Sequence, residues 1–402
     1  MIPVAAHRQR VLDAVRPLPA ETVAVTSAAG RTLAADVVSR LDIPAFDNSA
    51  MDGFAVRSAD VASAAPGSPA VLAVVADVPA GSAERPPLPA GQAARIMTGA
   101  PVPDDADAIV PFEETEGGLD DSLTDCRVVS PARAGAHIRR RAEDIAEGEV
   151  VLEAGSALGA LQLSALVSAG VTEVAVARRP RVAVISTGAE LLPPGVAPGP
   201  ARIPDSNSAL LAELAAAAGA DVIARERVSD DPRELLDLLA GAAAGTDVVV
   251  TTGGVSAGAY EPVKLALSGR VRFDKVAMQP GKPQGFGALD DGALFFGLPG
   301  NPVSVAVSFE MFVRPALLAL QGRAVVDRPR IRLRAVAGWR TPPGRDQVMP
   351  IALEADGVRP ATAGGSGSHL VGGLGRAEGY AIVPADVAEV APGDLVDVML
   401  VS

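Results

Sequence analysis

A single cysteine, Cys126, stands in a chain of 402 residues. No intrachain disulfide can form, and a multi-cysteine metal site or a secreted disulfide scaffold is excluded, so a reducing cytoplasm is the expected compartment. Histidine is also scarce: His7, His137 and His369 are too scattered for a zinc signature, and no Ser-His-Asp or Cys-His constellation follows from their order. Long apolar runs are missing. The stretch MIPVAAHRQRVLDAV is broken by charges, and VAVIS and DVVVTT are far shorter than a membrane span, so neither an export signal nor a membrane anchor is expected. Positive charge is in deficit, with 35 basic against 48 acidic residues and a net charge of -13, which argues against nucleic acid or an anionic membrane as a partner. An anionic ligand would need a local basic pocket.

Lysine is the scarcest cation. Arginine is used almost throughout, and Lys264, Lys275 and Lys282 all fall in one short stretch between two Gly-rich loops. Arginine offers a planar fork and lysine a compact point charge, so a phosphate or oxyanion pocket would resist the exchange. The competing reading is chance retention on a solvated face, where the two interchange at little cost.

The length points to two to four domains. From 181 to 320, short β-branched runs alternate with Ala/Leu-rich stretches of helical spacing, which predicts a three-layer α/β domain with a mostly parallel sheet. Its expected strands are 181–186, 221–228, 247–252 and the run through Phe295-Phe296. Its expected helices are 208–218, the segment after Asp230-Asp231-Pro232, and 305–320. Residues from about 53 to 138 combine short Val-rich runs with Pro and Gly punctuation, which predicts a small β-domain. Helical candidates flank it, including 11–15 and 160–168, and the tail from about 326 fits a compact β-barrel-like domain. The expected division is a discontinuous helical or linker domain at 1–49 and 140–177, an inserted β-domain at 50–139, an α/β domain at 178–325 and a C-terminal β-domain at 326–402.

In open α/β sheets ligands bind beyond the carboxyl ends of the strands, and three strand ends here run into Gly-rich loops. Glycine lets backbone amides approach a phosphate, and a following helix N-terminus adds favourable charge. Thr252-Gly253-Gly254-Val255-Ser256, continuing to Ala257-Gly258, and Gly300-Asn301-Pro302-Val303-Ser304 meet both conditions with hydroxyls added. Neither matches a Walker A or Rossmann fingerprint, and turns between packed elements also need glycine. The segment 278–285, Met278-Gln279-Pro280-Gly281-Lys282-Pro283-Gln284-Gly285, reads as irregular backbone carrying a rare lysine; with Lys275 it could neutralise a tetrahedral oxyanion, a surface turn being the alternative. Acidic candidates are Asp52, Asp144, Glu190, Asp205, Asp230 and Glu261. A magnesium ion on a phosphorylated substrate takes one or two carboxylates, and spacing alone does not choose them. For Asp205 and Asp230 a helix-cap role competes, and Asp52 and Asp144 could close turns or pair with arginine. Gly367-Ser368-His369 could lend polar contacts to an anion.

A series of stretches, 49–56 (SAMDGFAV), 95–103 (RIMTGAPVP), 139–145 (RRRAEDI), 186–191 (STGAEL), 252–256 (TGGVS), 280–283 (PGKP) and 297–304 (GLPGNPVS), resembles the molybdopterin molybdenumtransferase family, the MoeA-type enzymes related to the C-terminal domain of gephyrin. The resemblance implies an elongated homodimer of four-domain chains with the active site near the subunit interface. It implies insertion of molybdate into adenylylated molybdopterin with a divalent ion, Mg2+, and release of AMP. On matching positions, Asp52, Asp144, Lys275 and Lys282 would be catalytic. Thr187, Gly188, Glu190, Asp205, Gly253, Gly254, Ser256, Pro299, Asn301, Pro302, Ser304 and Arg345 would bind substrate, with Glu190 and Glu261 near the metal. Implied partners are the molybdopterin adenylyltransferase of the preceding step and the apoenzymes that receive the cofactor. Ala189, Gln279 and Glu261 depart from the commoner Asp, Lys and Asp, which bears on metal placement and anion affinity. Two rival readings remain at this point: a molybdopterin adenylyltransferase, which would not need the flanking domains, and a non-catalytic scaffold of the gephyrin kind.

Overall fold

The computed structural model describes residues 1–120, 123–242, 245–256, 261–362 and 367–401; Ala257 and Gly258 of the second glycine loop lie outside them. A six-stranded sheet occupies the region predicted as α/β. Strands Asp221–Val228, Arg181–Thr187, Val248–Thr252 and Leu294–Leu298 lie in that order and are parallel, and Pro283–Ala288 and Arg272–Lys275 continue the sheet antiparallel. The antiparallel edge was not foreseen. Within the segment expected to be irregular, Pro283 to Gly285 belongs to this sheet and Met278–Gln279 pairs with the tail, which leaves 280–282 as the turn.

Alternation along each parallel strand explains the layers. Val182, Val184, Val248, Val250, Phe296 and Leu298 pack on one face with helix Asn207–Ala217 and the helix that begins at Pro302. Ala183, Ile185, Val249 and Phe295 face the other way, onto Leu235 and Leu239 of helix Pro232–Ala242 and onto Val263 and Leu267. Strands buried on both faces read as continuous apolar runs, which is why VAVIS and DVVVTT were legible.

The helix expected at 305–320 spans Pro302–Leu320 and carries a π-turn over Phe309–Val313. Pro315 lacks the amide that an α-helical ladder needs, and the wider turn just before it accommodates the ring. This helix is apolar enough to span a membrane by composition, but it is largely buried in the α/β core. The N-terminal helix runs Val4–Ala14, not 11–15: Val4, His7 and Val11 form its buried stripe, and Val15 is already extended. The helix expected at 208–218 is Asn207–Ala217.

Strands between Gly53 and Val128 form a second six-stranded sheet, entered and left through the antiparallel ribbon of Asn48–Ser49 with Ile138–Arg139. Helix Ala160–Ser168 and the ribbon Ala20–Ala24 with Glu173–Ala177 share a separate small core. In the tail, Met278–Gln279, Asp346–Glu354, Gly379–Val383, Leu395–Leu400 and Arg330–Arg334 form a third sheet. Strand Gly357–Pro360 pairs with Asp346–Glu354, and an Ala335–Val358 bridge brings it beside the far edge, so this sheet nearly closes into a barrel.

Candidate functional site

The chain runs from strand Arg181–Thr187 outward to Asp221–Val228 and then back to Val248–Thr252 on the opposite side. At such a reversal neighbouring loops diverge and leave a crevice at the carboxyl ends. A cleft of about 490 Å³ lies there, lined by Thr187, Gly188, Glu190, Asp205, Asp230, Gly253, Gly254, Ser256, Glu261, Pro299, Asn301 and Pro302, among others.

Backbone geometry builds this cleft. Gly253 has φ +92, and an added Cβ would sit 2.7 Å from the Thr187 carbonyl oxygen. Only glycine fits both the conformation and the space. Two of the glycine loops are tied together through a helix start: Asn207 Nδ2 donates to Thr252 Oγ1 at 3.0 Å and to the Gly300 carbonyl at 2.7 Å, and Thr252 Oγ1 donates to the Pro299 carbonyl at 3.1 Å. Pro302 opens the long helix, so the amides of that helix N-terminus face the cleft side of the sheet.

The four carboxylates of the lining differ in what they already hold. Asp205 is buried and its Oδ1 accepts from Ser186 Oγ and from the Ser208 amide, both at 3.1 Å, which is the cap role. Asp230 is no cap: it accepts from the Ala189 amide at 3.2 Å, while Asp231 takes the Arg233 amide at 2.8 Å. Glu261 Oε2 accepts from the Ser256 amide at 2.6 Å and fixes the loop end. Glu190 is exposed and lies over Gly188, where an added Cβ would come within 2.6 Å of its Oε2. Among the described residues no three His, Cys, Asp or Glu side chains form a ready metal cluster. The lining therefore suits a hard cation that takes one or two carboxylates and completes its shell with phosphate and water.

A second cavity, of about 320 Å³, meets the first at Ser256 and is lined by Lys264, Lys275 and Lys282, together with Val255, Phe273, Asp274 and Pro283. Every lysine of the chain is thus in one lining. Lys264 comes from helix Pro262–Ala266 and Lys275 from the end of strand Arg272–Lys275, while Lys282 sits in the turn 280–282. That turn is held by the Val276 amide donating to the Lys282 carbonyl at 2.8 Å and by Gln284 Nε2 donating to Gly281 O and Ser308 Oγ at 2.6 and 2.7 Å. Three like charges against apolar walls repel one another, and a small oxyanion relieves the repulsion.

Other expected residues lie elsewhere. Asp52 and Asp144 are exposed and line neither cavity; they flank the Asn48–Ser49 and Ile138–Arg139 ribbon. The Thr98 amide and hydroxyl donate to Asp52 Oδ1 at 2.7 and 2.8 Å and hold its carboxyl below the usual range. Arg345 donates to Gln279 Oε1 at 2.8 Å, across the seam where the tail sheet pairs with Met278–Gln279, and lines neither cavity. Ser304 is buried inside its helix, so that loop meets the cleft through 299–302 instead. Ser368 Oγ accepts from Asn301 Nδ2 at 2.8 Å, which brings the tail to the cleft rim. Asn207 and Asp274 went unnoticed as site residues. Asn207 read only as part of a helix start, and Asp274 gives no signal within an alternating strand.

Three family profiles match the chain in order: "MoeA N-terminal region (domain I and II)" over 2–170, "Probable molybdopterin binding domain" over 183–319 and "MoeA C-terminal region (domain IV)" over 332–401. The chain is similar to Molybdopterin molybdenumtransferase 2 of Mycobacterium tuberculosis, 42% identical over 395 residues and 96% of each chain. It is also similar to the molybdopterin molybdenumtransferase of Haemophilus influenzae, 33% identical over 399 residues, 97% of this chain and 96% of that one. Among solved structures, a molybdopterin biosynthesis moeA protein from Pyrococcus horikoshii OT3 matches with a TM-score of 0.86 at 27% identity over all of both chains.

Proposed function

This chain belongs to the molybdopterin molybdenumtransferase (MoeA) family and inserts molybdenum in molybdenum cofactor biosynthesis, and from that premise we propose that its two adjoining cavities divide the reactants. The glycine-loop cleft takes the adenylylated pterin, and the lysine cavity takes molybdate. The observation that carries this division is the meeting, at Ser256, of a cleft made of backbone amides and carboxylates with a cavity that gathers every lysine.

Amides of the 252–256 and 299–302 loops bind and orient the phosphates, and the helix N-terminus at Pro302 favours their charge. Lys275 and Lys282 hold the tetrahedral dianion next to them; the two pterin thiols bond to molybdenum as one molybdate oxygen leaves as water with their two protons, and a separate water adds to the phosphoanhydride as AMP leaves. Glu190 and Glu261 would hold Mg2+; when bound, the ion supplies charge neutralisation of the departing phosphate. Glu261 also keeps the Ser256 amide in place.

Asp52 and Asp144 line neither cavity of their own chain, and this supports a homodimer in which they reach the cleft of the partner. Mixing Asp52→Ala with Lys282→Ala tests that arrangement: heterodimers would regain one intact site, so two inactive preparations should recover measurable AMP release. No recovery after verified subunit exchange contradicts a shared site. The proposed setting is the cytoplasm, beside the adenylyltransferase that supplies the substrate and the apoenzymes that take the product.

Matches to the MoeA N-terminal and C-terminal regions favour the insertase over the adenylyltransferase, for which the flanks would be superfluous. The direct test is incubation with adenylylated molybdopterin with and without molybdate. Molybdate-dependent AMP release and metal-loaded pterin are expected. Accumulation of adenylylated pterin from molybdopterin and ATP would favour the adenylyltransferase instead.

A further inference from the structure

The lysine cavity contains an acid, Asp274, whose side chain is 11% exposed. It is clasped by two guanidinium groups. Arg10, from helix Val4–Ala14, sets Nη1 against Asp274 Oδ2, and Arg272 Nε lies 3.1 Å from both carboxylate oxygens. An uncovered carboxylate beside Lys264, Lys275 and Lys282 would cancel part of the positive potential that an oxyanion needs. The same N-terminal segment also fixes the backbone that carries Lys275: the Ile2 amide donates to the Lys275 carbonyl and the Ala277 amide to the Ile2 carbonyl, each at 2.8 Å. His7, one helical turn before Arg10, faces Asp274 too; burial lowers its pKa to about 4, so near neutral pH it adds no charge. Arg10 itself is not part of the cavity lining, so it makes no contact with a bound anion, and its hydrogen-bonded partner there is Asp274.

We propose that Arg10 is a positioning residue for the oxyanion: by neutralising Asp274 from behind, it lets the three lysines present their full charge to molybdate. The inference rests on the reading that the lysine cavity takes molybdate. It makes the N-terminal helix, 264 residues away in sequence, part of the determinant of anion affinity.

The test measures molybdate and AMP affinities calorimetrically on the full chain, with the KM for molybdate in AMP release. Arg10→Gln should weaken molybdate binding roughly five- to tenfold, the size of one positive charge lost from a partly shielded site in which Arg272 alone still pairs with Asp274, with AMP affinity and kcat within about twofold. Arg10→Lys should stay near wild type. Asp274→Asn should bind molybdate more tightly, and Arg10→Gln with Asp274→Asn should recover at least wild-type affinity. Unchanged molybdate affinity in Arg10→Gln overturns the proposal, as does a double variant no better than Arg10→Gln, or weaker molybdate binding by Asp274→Asn. A merely structural role for Arg10 would weaken both ligands together. If Arg10→Gln does not fold, Arg10→Lys and Asp274→Asn still decide. Lys282→Ala separates the two layers: unchanged molybdate affinity there removes the cavity assignment itself, whereas a loss there with none in Arg10→Gln removes only the role of Arg10.

Discussion

The glycine-loop cleft and the lysine cavity meet at Ser256 and are made of opposite materials. The cleft is walled by backbone, hydroxyls and four carboxylates, so it recognises shape and direction; its donors are fixed by loops that Asn207 ties together. The cavity is walled by apolar side chains, three ammonium groups and the arginine-clasped Asp274, so it recognises charge in a small volume. A ligand with a ring system and phosphates suits the first, and a compact dianion suits the second. The two halves should therefore fail in different ways: the cleft when backbone geometry is disturbed, the cavity when charge is removed.

Charge removal should give the largest effect. Lys282→Ala is expected to slow AMP release by roughly two to three orders of magnitude, the usual loss for one donor aimed at an oxyanion, with nucleotide affinity little changed. Steady-state kinetics beside AMP titration would show the split, and equal loss of both ligands would erase the distinction between the halves.

Acid sensitivity should sit in the buried core, where His7 packs against Phe312 with ring centroids 4.7 Å apart and has a pKa lowered to about 4 from 6.5. Its depressed pKa means that the unfolded chain binds the extra proton first. Stability from this group is thus full above about pH 6.5, falls as the pH drops towards 4, and loses about 3 kcal/mol over that window. Urea denaturation at pH 7 and at pH 4.5 should show the loss in wild type and a smaller one in His7→Leu.

Backbone disturbance comes next. Gly253→Ala forces a Cβ into the left-handed region and against the Thr187 carbonyl, at a cost of about 2 kcal/mol. A lowered thermal midpoint and weakened AMP binding should accompany near-normal molybdate binding; loss of molybdate alone would reverse the assignment. Smallest is Glu261→Ala, which frees the Ser256 amide at the shared wall. Both ligands should weaken by about three- to fivefold, near the net worth of one ordinary hydrogen bond, and a change confined to one would show that the wall is not shared.

These two halves were not equally legible in the sequence. The parallel strands were readable because burial on both faces makes continuous apolar runs, as in Val182 to Ile185 and Val248 to Val250. The glycine loops were readable because they follow those runs directly. Lysine rarity pointed to Lys264, Lys275 and Lys282 together, but not to the antiparallel edge that brings Lys275 beside Lys282. Arg10 and Asp274 were invisible, since a pair joining a helix to a distant strand leaves no periodic trace. Asp230 and Asp231 were ambiguous because either could cap the same helix, and only the position of the Ala189 amide separates them. Ser304 had the right loop but the wrong side, since two residues past Pro302, about half a helical turn, carry it into the core.

The most direct test is anomalous diffraction at the molybdenum edge from crystals soaked with molybdate and AMP. The account predicts a molybdenum peak within contact distance of Lys282 and nucleotide density along the 252–256 and 299–302 loops. A molybdenum peak among those glycine loops, with nucleotide between the lysines, would contradict it.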